Sequence, residues 1–231
     1  MKKVCITGTS RGIGLEIARV FKQANYHVIG ISSQDHQMPE LDQHMAADLS
    51  QETDINRVCE FIQHADIDVL VNNAGINIPD SFVDIKPQDF DQQYRVNLYA
   101  PFRLCQAVLP HMINCRFGRI VNISSIWGKI SRARVASYSA TKFGLDGLTL
   151  GLANEYARHN VLANCISPGF IDTDMTRANL DQGRIDYFNA LTPVGRLGTP
   201  QEIANTVLWL ADTNTFISGQ NIAVDGGFTR A

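Results

Sequence analysis

The stretch that decides the fold stands at the start of the chain: Lys3-Val4-Cys5-Ile6-Thr7-Gly8-Thr9-Ser10-Arg11-Gly12-Ile13-Gly14. Lys3–Thr7 is a short apolar run of strand length that stops at a glycine. Beyond the glycines, Ile13, Ile17, Val20 and Phe21 recur at helical spacing, which predicts a buried strand, a turn and a helix over Gly12–Asn25. The glycine spacing is G-x-x-x-G-x-G rather than G-x-G-x-x-G, but the physics is shared. Gly8 permits a tight turn, Gly12 lets backbone approach a pyrophosphate, and Gly14 lets the helix pack close to the strand. Free N–H groups and the dipole at the helix start favour an anion. The competing reading is a plain strand-to-helix turn that happens to contain glycines.

Working outward, short apolar runs alternate with helical stretches. Strands are predicted at His27–Ile31, Met45–Ala47, Asp68–Asn72, Arg119–Ile123, Val161–Ile166 and Asn221–Val224. Between them lie helical patterns over Ser50–His64, from Pro87 to Cys115 with Pro101 opening a second helix, Ser137–Arg158 and Pro200–Ala211. Asp172–Thr192 is polar and weakly periodic, and reads as a mobile lid over bound substrate. The alternation predicts an α/β fold of the Rossmann type. It is a doubly wound parallel sheet of about seven strands with helices on both faces, and residues 1–231 form a single nucleotide-binding domain. In such sheets ligands bind beyond the C-terminal strand ends, which puts the loops at Gly8, Asn72, Ser124 and Pro168 on one rim.

Composition narrows the partners. With 20 basic and 23 acidic residues and no Lys/Arg run, the chain is not expected to bind nucleic acid. The five cysteines and six histidines show no ligand spacing, so reduced core thiols and no metal are expected. The apolar run after Met1-Lys2-Lys3 is too short for a signal peptide, and no stretch approaches the ~20 apolar residues of a membrane span. A cytoplasmic location and no membrane association follow as expectations.

The second strand ends Gly30-Ile31-Ser32-Ser33, and Asp35 comes too late for the acidic residue that selects NAD. Ser32, Ser33 and Arg11 could instead hold a 2′-phosphate, so NADP(H) is preferred, with NAD possible. Asp48 could bind the adenine edge or cap the helix after Ser50. Tyr138 and Lys142 stand one helical turn apart on a common face. A cation there lowers a phenol from its usual ~10 toward neutrality, which suits a general acid or base. Ser125 ends the strand before them and could orient a carbonyl. The Asn97 amide could hold a water leading protons to Lys142, or could simply bend its helix.

These residues occur together, from Val4 to Gly227, in the order TGTSRGIG, Asn72-Asn73-Ala74-Gly75, Asn97, Ser125, Tyr138 with Lys142, Pro168-Gly169 followed by Thr173, and Val224-Asp225-Gly226-Gly227. In this the sequence resembles the short-chain dehydrogenase/reductases, in their compact single-domain branch. The resemblance implies an oxidoreductase that moves a hydride between NADP(H) and a ketone or secondary alcohol. Tyr138 would be its acid/base and Lys142 would bind the nicotinamide ribose. Ser125, chosen over Ser124 by family spacing, would steady the carbonyl, and Asn97 would complete a proton relay. The NNAG turn would brace the sheet, and Ile171 and Thr173 would meet the carboxamide. The cofactor contacts so expected are Gly8, Ser10, Arg11, Gly12, Ile13, Gly14, Ser32, Ser33, Asp48, Leu49, Asn72, Ala74, Gly75, Tyr138, Lys142, Pro168, Gly169, Ile171 and Thr173. A homotetramer or homodimer is also implied, with the helices near Ala100–Cys115 and Ser137–Arg158 forming one interface and the C-terminal strand helping to form another.

Within that family the segments around Tyr138 and from Gly195 to Gly227 look most like 3-oxoacyl-[acyl-carrier-protein] reductases of fatty-acid biosynthesis. That group docks its acidic carrier on basic residues beside the active-site mouth. Arg116 falls at one matching place, but the second falls at His159, with Arg158 adjacent, so the feature is only half kept. Ile126, Trp127, Ile130 and Phe188 suggest an apolar substrate wall. Sugars, steroids, diketones and polyketides are alternative substrates. A non-catalytic NAD(P)-sensing protein, or a dehydratase or epimerase that retains the cofactor, are alternative functions.

Overall fold

The computed structural model describes residues 1–34, 38–173, 176–177 and 181–230. Asp35 and part of the expected lid lie outside them. Among the described residues seven parallel strands form one sheet: β1 (Lys3–Thr7), β2 (His27–Ser32), β3 (Gln43–Ala46), β4 (Val69–Asn72), β5 (Gly118–Ile123), β6 (Val161–Pro168) and β7 (Asn221–Val224). Their order is β3-β2-β1-β4-β5-β6-β7, so the winding reverses between β1 and β4. That reversal opens the crevice in which such sheets bind ligands.

Strand alternation divides the core. Cys5, Ile29, Leu70, Ile120 and Ala163 face one side, where they meet α2 (Glu52–Gln63) and α4 (Ala100–Cys115). Val4, Ile6, Val28, Val69, Val71 and Val121 face the other, against α1 (Gly12–Gln23) and α7 (Pro200–Asp212). The helices answer with stripes at helical spacing: Ile55, Val58 and Ile62 on α2, and Ile203, Val207 and Leu210 on α7. Each such fully buried side chain contributes about 1.5–3 kcal/mol.

Local chemistry sets the element ends. Asn25 takes a left-handed φ of 61° and helps stop α1 at Gln23, short of the expected Asn25. At α7, Thr199 accepts from the Glu202 N–H while the Glu202 carboxylate accepts from the Thr199 N–H. Strand β3 begins two residues before the expected Met45. The weakly periodic stretch 172–192 contains a helix, α6 (Gln182–Leu191), started by the Asp181 carboxylate accepting from Arg184 N at 2.8 Å. Its capping residue, rather than an apolar stripe, was the usable signal.

The run from Pro87 to Cys115 is one continuous helical rod in place of two. Between α3 (Pro87–Tyr94) and α4 lies a π turn, Arg95–Tyr99, centred on Asn97. Pro101 has no N–H to donate to the carbonyl four residues earlier, which is that of Asn97. The widened turn accommodates that loss. The remaining long helix, α5 (Ala136–Tyr156), carries Tyr138 and Lys142 in its first two turns.

Candidate active site

The C-terminal ends of β1, β4, β5 and β6 open onto one cleft of about 450 Å³. It is lined by every expected cofactor contact except Asn72. The glycine loop forms its floor. Gly8 adopts φ +75° and its N–H donates to the Ile31 carbonyl at 2.7 Å. A Cβ on Gly14 would run into the Gly8 carbonyl oxygen and stand 2.5 Å from Asn73 Nδ2, so helix and strand touch there through backbone. At Gly12, φ +58°, the nearest atom to an added Cβ is a Thr173 methyl at 3.6 Å, so the loop leaves open space above it. Arg11 caps α1 without a side-chain hydrogen bond, leaving the first-turn N–H groups free for an anion.

Of the two asparagines that follow one another at the end of β4, Asn73 lines the cleft and Asn72 does not. Asn72 is buried, and its amide donates to Asn122 Oδ1 at 2.8 Å and to Cys105 Sγ, bracing β4 against β5 and α4. Asn73 lines the cleft and donates to the carbonyls of Thr7 at 2.9 Å and Gly8 at 3.2 Å. Thr7 Oγ1 in turn accepts from the N–H groups of Asn73 and Ala74, both at 3.0 Å. Successive residues at a strand end point to opposite faces, so the pair cannot both reach the ligand.

At the adenosine end, the Ser32 hydroxyl donates to Gln34 O at 3.0 Å and is bonded to His44 Nε2 at 2.9 Å. Its single proton is thus engaged within the protein, although Ser32 lines the cleft. Ser33 and Arg11 remain exposed on the cleft. Asp48 is exposed there too, with one carboxylate oxygen accepting from Ser50 N at 2.9 Å. The helix cap itself falls to Gln51.

Lys142 is 3% exposed, and its ammonium donates to the Ile123 carbonyl at 2.8 Å, 5.6 Å from the centre of the Tyr138 ring. Burial dominates both groups. It pushes the Tyr138 phenol up to about 12, partly offset by a hydrogen bond with Ser125, and the Lys142 ammonium down to about 8. The phenol is therefore not drawn toward neutrality in this state, because burial outweighs the hydrogen bond with Ser125. Ser125 Oγ accepts from Trp127 N at 3.2 Å and faces Tyr138. Ser124 turns away and donates to the Lys142 carbonyl at 3.3 Å.

Asn97 is fully buried and does not line the cleft. Both of its amide protons are used, by Ile76 O at 2.9 Å and Thr141 Oγ1 at 3.1 Å, and Oδ1 accepts from Ile76 N at 2.9 Å. The side chain thus ties the π turn to the strand-end loop and to α5, leaving one oxygen lone pair for a water. Pro101, four residues on, is the sequence signal for that turn.

On the substrate side Trp127 lines the cleft and leads into an aromatic cluster. Phe170 stacks on Phe188 at 3.8 Å between centroids and meets Trp127 and Phe228 edge-on. Asp225 fixes Phe228 there by accepting from Gly227 N, Thr229 N and Thr229 Oγ1. Phe170 and Phe228 went unread in the sequence. Ile126 is 1% exposed and belongs to the packing beneath the wall, while Ile130 is exposed. Arg116 and His159 lie at the N-terminal ends of β5 and β6, where Asn160 Nδ2 donates to the Arg116 carbonyl. That is the end of the sheet away from the cleft, so they do not flank this chain's own mouth.

A family model described as enoyl-(acyl carrier protein) reductase matches residues 8–229. The chain is 36% identical to the 3-oxoacyl-[acyl-carrier-protein] reductase of Escherichia coli over 98% of this chain and 96% of that one. Among solved structures it is similar to a 3-oxoacyl (acyl-carrier-protein) reductase from Agrobacterium tumefaciens with NADP bound. That likeness has 31% identity and a TM-score of 0.89 and covers 97% of this chain and 93% of that one. A gluconate 5-dehydrogenase from Burkholderia cenocepacia, in complex with NADP and tartrate, shows 32% identity and a TM-score of 0.89, covering 100% and 96%.

Proposed function

The chain belongs to the short-chain dehydrogenase/reductase family, and on that premise we propose that this oxidoreductase reduces the ketone of a 3-oxoacyl thioester, presented on an acyl carrier, with NADPH. The observation that carries the reading is the meeting of Ser125, Tyr138 and Lys142 with the glycine cradle in one cleft. The cradle fits a dinucleotide: the space over Gly12 and the free N–H groups of α1 suit a pyrophosphate, and Ala74, Gly75, Ile171 and Thr173 line the way to Tyr138. Arg11 and Ser33 would hold the 2′-phosphate.

When bound, the dinucleotide supplies the hydride for the carbonyl carbon. Ser125 and Tyr138 hold the carbonyl oxygen between two hydroxyls, and Tyr138 gives that oxygen its proton. The Lys142 ammonium stabilises the phenolate left behind. Asn97 positions Thr141 and the loop at Ile76, and so keeps Lys142 in register. Two hydroxyls converging on one oxygen favour a carbonyl over the carbon–carbon double bond named in the family model's description, whose reduction ends with a proton on carbon.

Residues 1–231 are read as one nucleotide-binding domain, with α6 covering the substrate. Among the described residues no helix is long and apolar enough to cross a membrane. A cytoplasmic location and a homotetramer belong to the same reading. The latter is supported by large apolar side chains left exposed on the two long helices, Phe143 and Leu150 on α5 and Phe102 on α4. The likeness to gluconate 5-dehydrogenase favours a second reading, in which the ketone belongs to a sugar acid.

The test is a cofactor-oxidation assay of the purified chain with NADPH and NADH, across carrier-bound and free 3-oxoacyl thioesters, diketones and keto sugar acids. The carrier-bound thioester is expected to give the highest kcat/KM, and NADPH a lower KM than NADH. Silence toward all thioesters overturns the substrate, and a lower KM for NADH overturns the cofactor.

A further inference from the structure

The loop between β5 and α5 carries an arginine whose chemistry the reduction does not use. The Arg132 guanidinium lies over the Trp127 ring at 4.9 Å and over the Phe188 ring at 5.6 Å. Trp127 lines the cleft, so Arg132 sits one ring away from the space the substrate enters. Arg184, on the first turn of α6, is near enough to repel it. Among the described residues neither cation forms an ion pair with a carboxylate. The acids at the start of α6 have other partners: Asp181, its capping residue, accepts through Oδ1 from the Arg184 backbone N–H, and Asp186 accepts through Oδ1 from Gln182 Nε2. Among the described residues, then, no carboxylate pairs with the Arg132 guanidinium, which is exposed against the ring that walls the cleft. Burial first, and then Arg184, disfavour the charge on Arg132, and the aromatic faces compensate in part. The planar N–H edges of the guanidinium stay available, in the geometry that recognises carboxylate or phosphate.

We propose that Arg132, assisted by Arg184, is a specificity-determining residue that binds an anionic group, carboxylate or phosphate, on the far side of the substrate from its ketone. The proposal deepens the reductase reading and rests on it. A phosphate would come from the arm that tethers an acyl thioester. A carboxylate would come from a keto acid.

The experiment uses Arg132→Met, which keeps an adaptable apolar contact with both rings while removing the charge. Two matched substrate pairs separate the sources: a 3-oxoacyl thioester on pantetheine with and without its phosphate, and a keto acid beside its methyl ester. The quantity read is the ratio of kcat/KM for the charged member to that for the neutral member. It is expected to fall roughly tenfold in Arg132→Met, as for loss of one charge-assisted hydrogen bond, and less in Arg132→Lys. The pair that responds names the anion. An unchanged ratio in both pairs overturns the proposal, and Arg132 is then only a clamp that holds α6.

A second measurement does not need turnover. In a Trp209→Phe background Trp127 is the only tryptophan. Inorganic phosphate or malonate is titrated into the NADPH-loaded protein while its fluorescence is followed. A saturable change that Arg132→Met abolishes supports the site even if every thioester proves inert. No saturable change with either anion overturns the site even if the reductase reading stands.

Discussion

The two halves of the cleft are built from different materials. The nucleotide half is mostly backbone: Gly8, Gly12 and Gly14, the free N–H groups of α1, and the carbonyls of Thr7 and Gly8 latched by Asn73. Its parts come from neighbouring strands and lie within a few residues of a strand end. The catalytic half is made of side chains drawn from remote parts of the chain: Ser125, Tyr138 with Lys142, Asn97 tying Ile76 to Thr141, and Phe188 from α6. The first half is held by steric fit, which leaves no room for an added Cβ at Gly8 or Gly14. The second holds a phenol near 12 and an ammonium near 8, both displaced by burial, and so stores an energetic cost where the chemistry happens.

The largest effect that separates the halves is chemical. Tyr138→Phe removes the proton donor and leaves the glycine cradle untouched. Turnover should fall by about 10²- to 10⁴-fold, the usual contribution of a positioned acid. Binding of NADPH, read by titration of its fluorescence, should change little. Substantial residual turnover would place the acid elsewhere, and lost cofactor binding would mean that the two halves are not separable.

Gly14→Ala tests the other half. Alanine suits a helix better than glycine by about 1 kcal/mol, so propensity alone predicts a gain. The added Cβ meets Asn73 Nδ2 and the Gly8 carbonyl oxygen, and the latter is backbone that cannot yield without parting β1 from α1. Overpacking of this kind costs roughly 1–3 kcal/mol, or about 2–12 °C in Tm for a chain of this size. Cofactor affinity should fall as well. A variant as stable as the parent would show that the helix can slide, and that the cradle is softer than its contacts imply.

The same contrast explains what could be read in advance. The Lys3–Gly14 stretch carries its own fold instructions, because the strand, the turn and the helix start are adjacent in sequence. The parallel, doubly wound sheet and the rim of loops followed from the alternation of strands and helices beyond it. Asn73 was missed in favour of Asn72 because which of two neighbouring residues faces the ligand depends on the strand's register in the sheet. The inward turn of the Ser32 hydroxyl depends on His44, which only the pairing of β2 with β3 brings alongside. The π turn at Asn97 leaves one local trace, Pro101, and its meaning depends on a carbonyl facing Ile76 and α5. Phe170 and Phe228 stand 58 residues apart, which is 228 less 170, and join the wall only when β6 and β7 pair. Arg116 and His159 match their relatives' spacing, yet spacing does not say which end of a strand faces the cleft.

The smallest effect sharpens the idea that the catalytic half stores a cost. Lys142 titrates at about 8 in the folded protein against 10.5 when unperturbed, chiefly through burial. Between those values the unfolded chain holds a proton that the folded chain has released, so stability rises with pH across that window. Below about 8 both states are charged and the penalty is complete; above 10.5 both are neutral and it vanishes. Lys142→Met should therefore lose activity and yet melt a few degrees higher at pH 7. Loss of the hydrogen bond to the Ile123 carbonyl trims that gain, at a cost of about 1–3 kcal/mol. Thermal melts of both proteins from pH 7 to pH 11 should show the curves converging as pH rises, because only the parent carries the titrating group. An offset that does not change with pH would attribute the difference to packing, and would mean that Lys142 is held charged without cost by partners within the site.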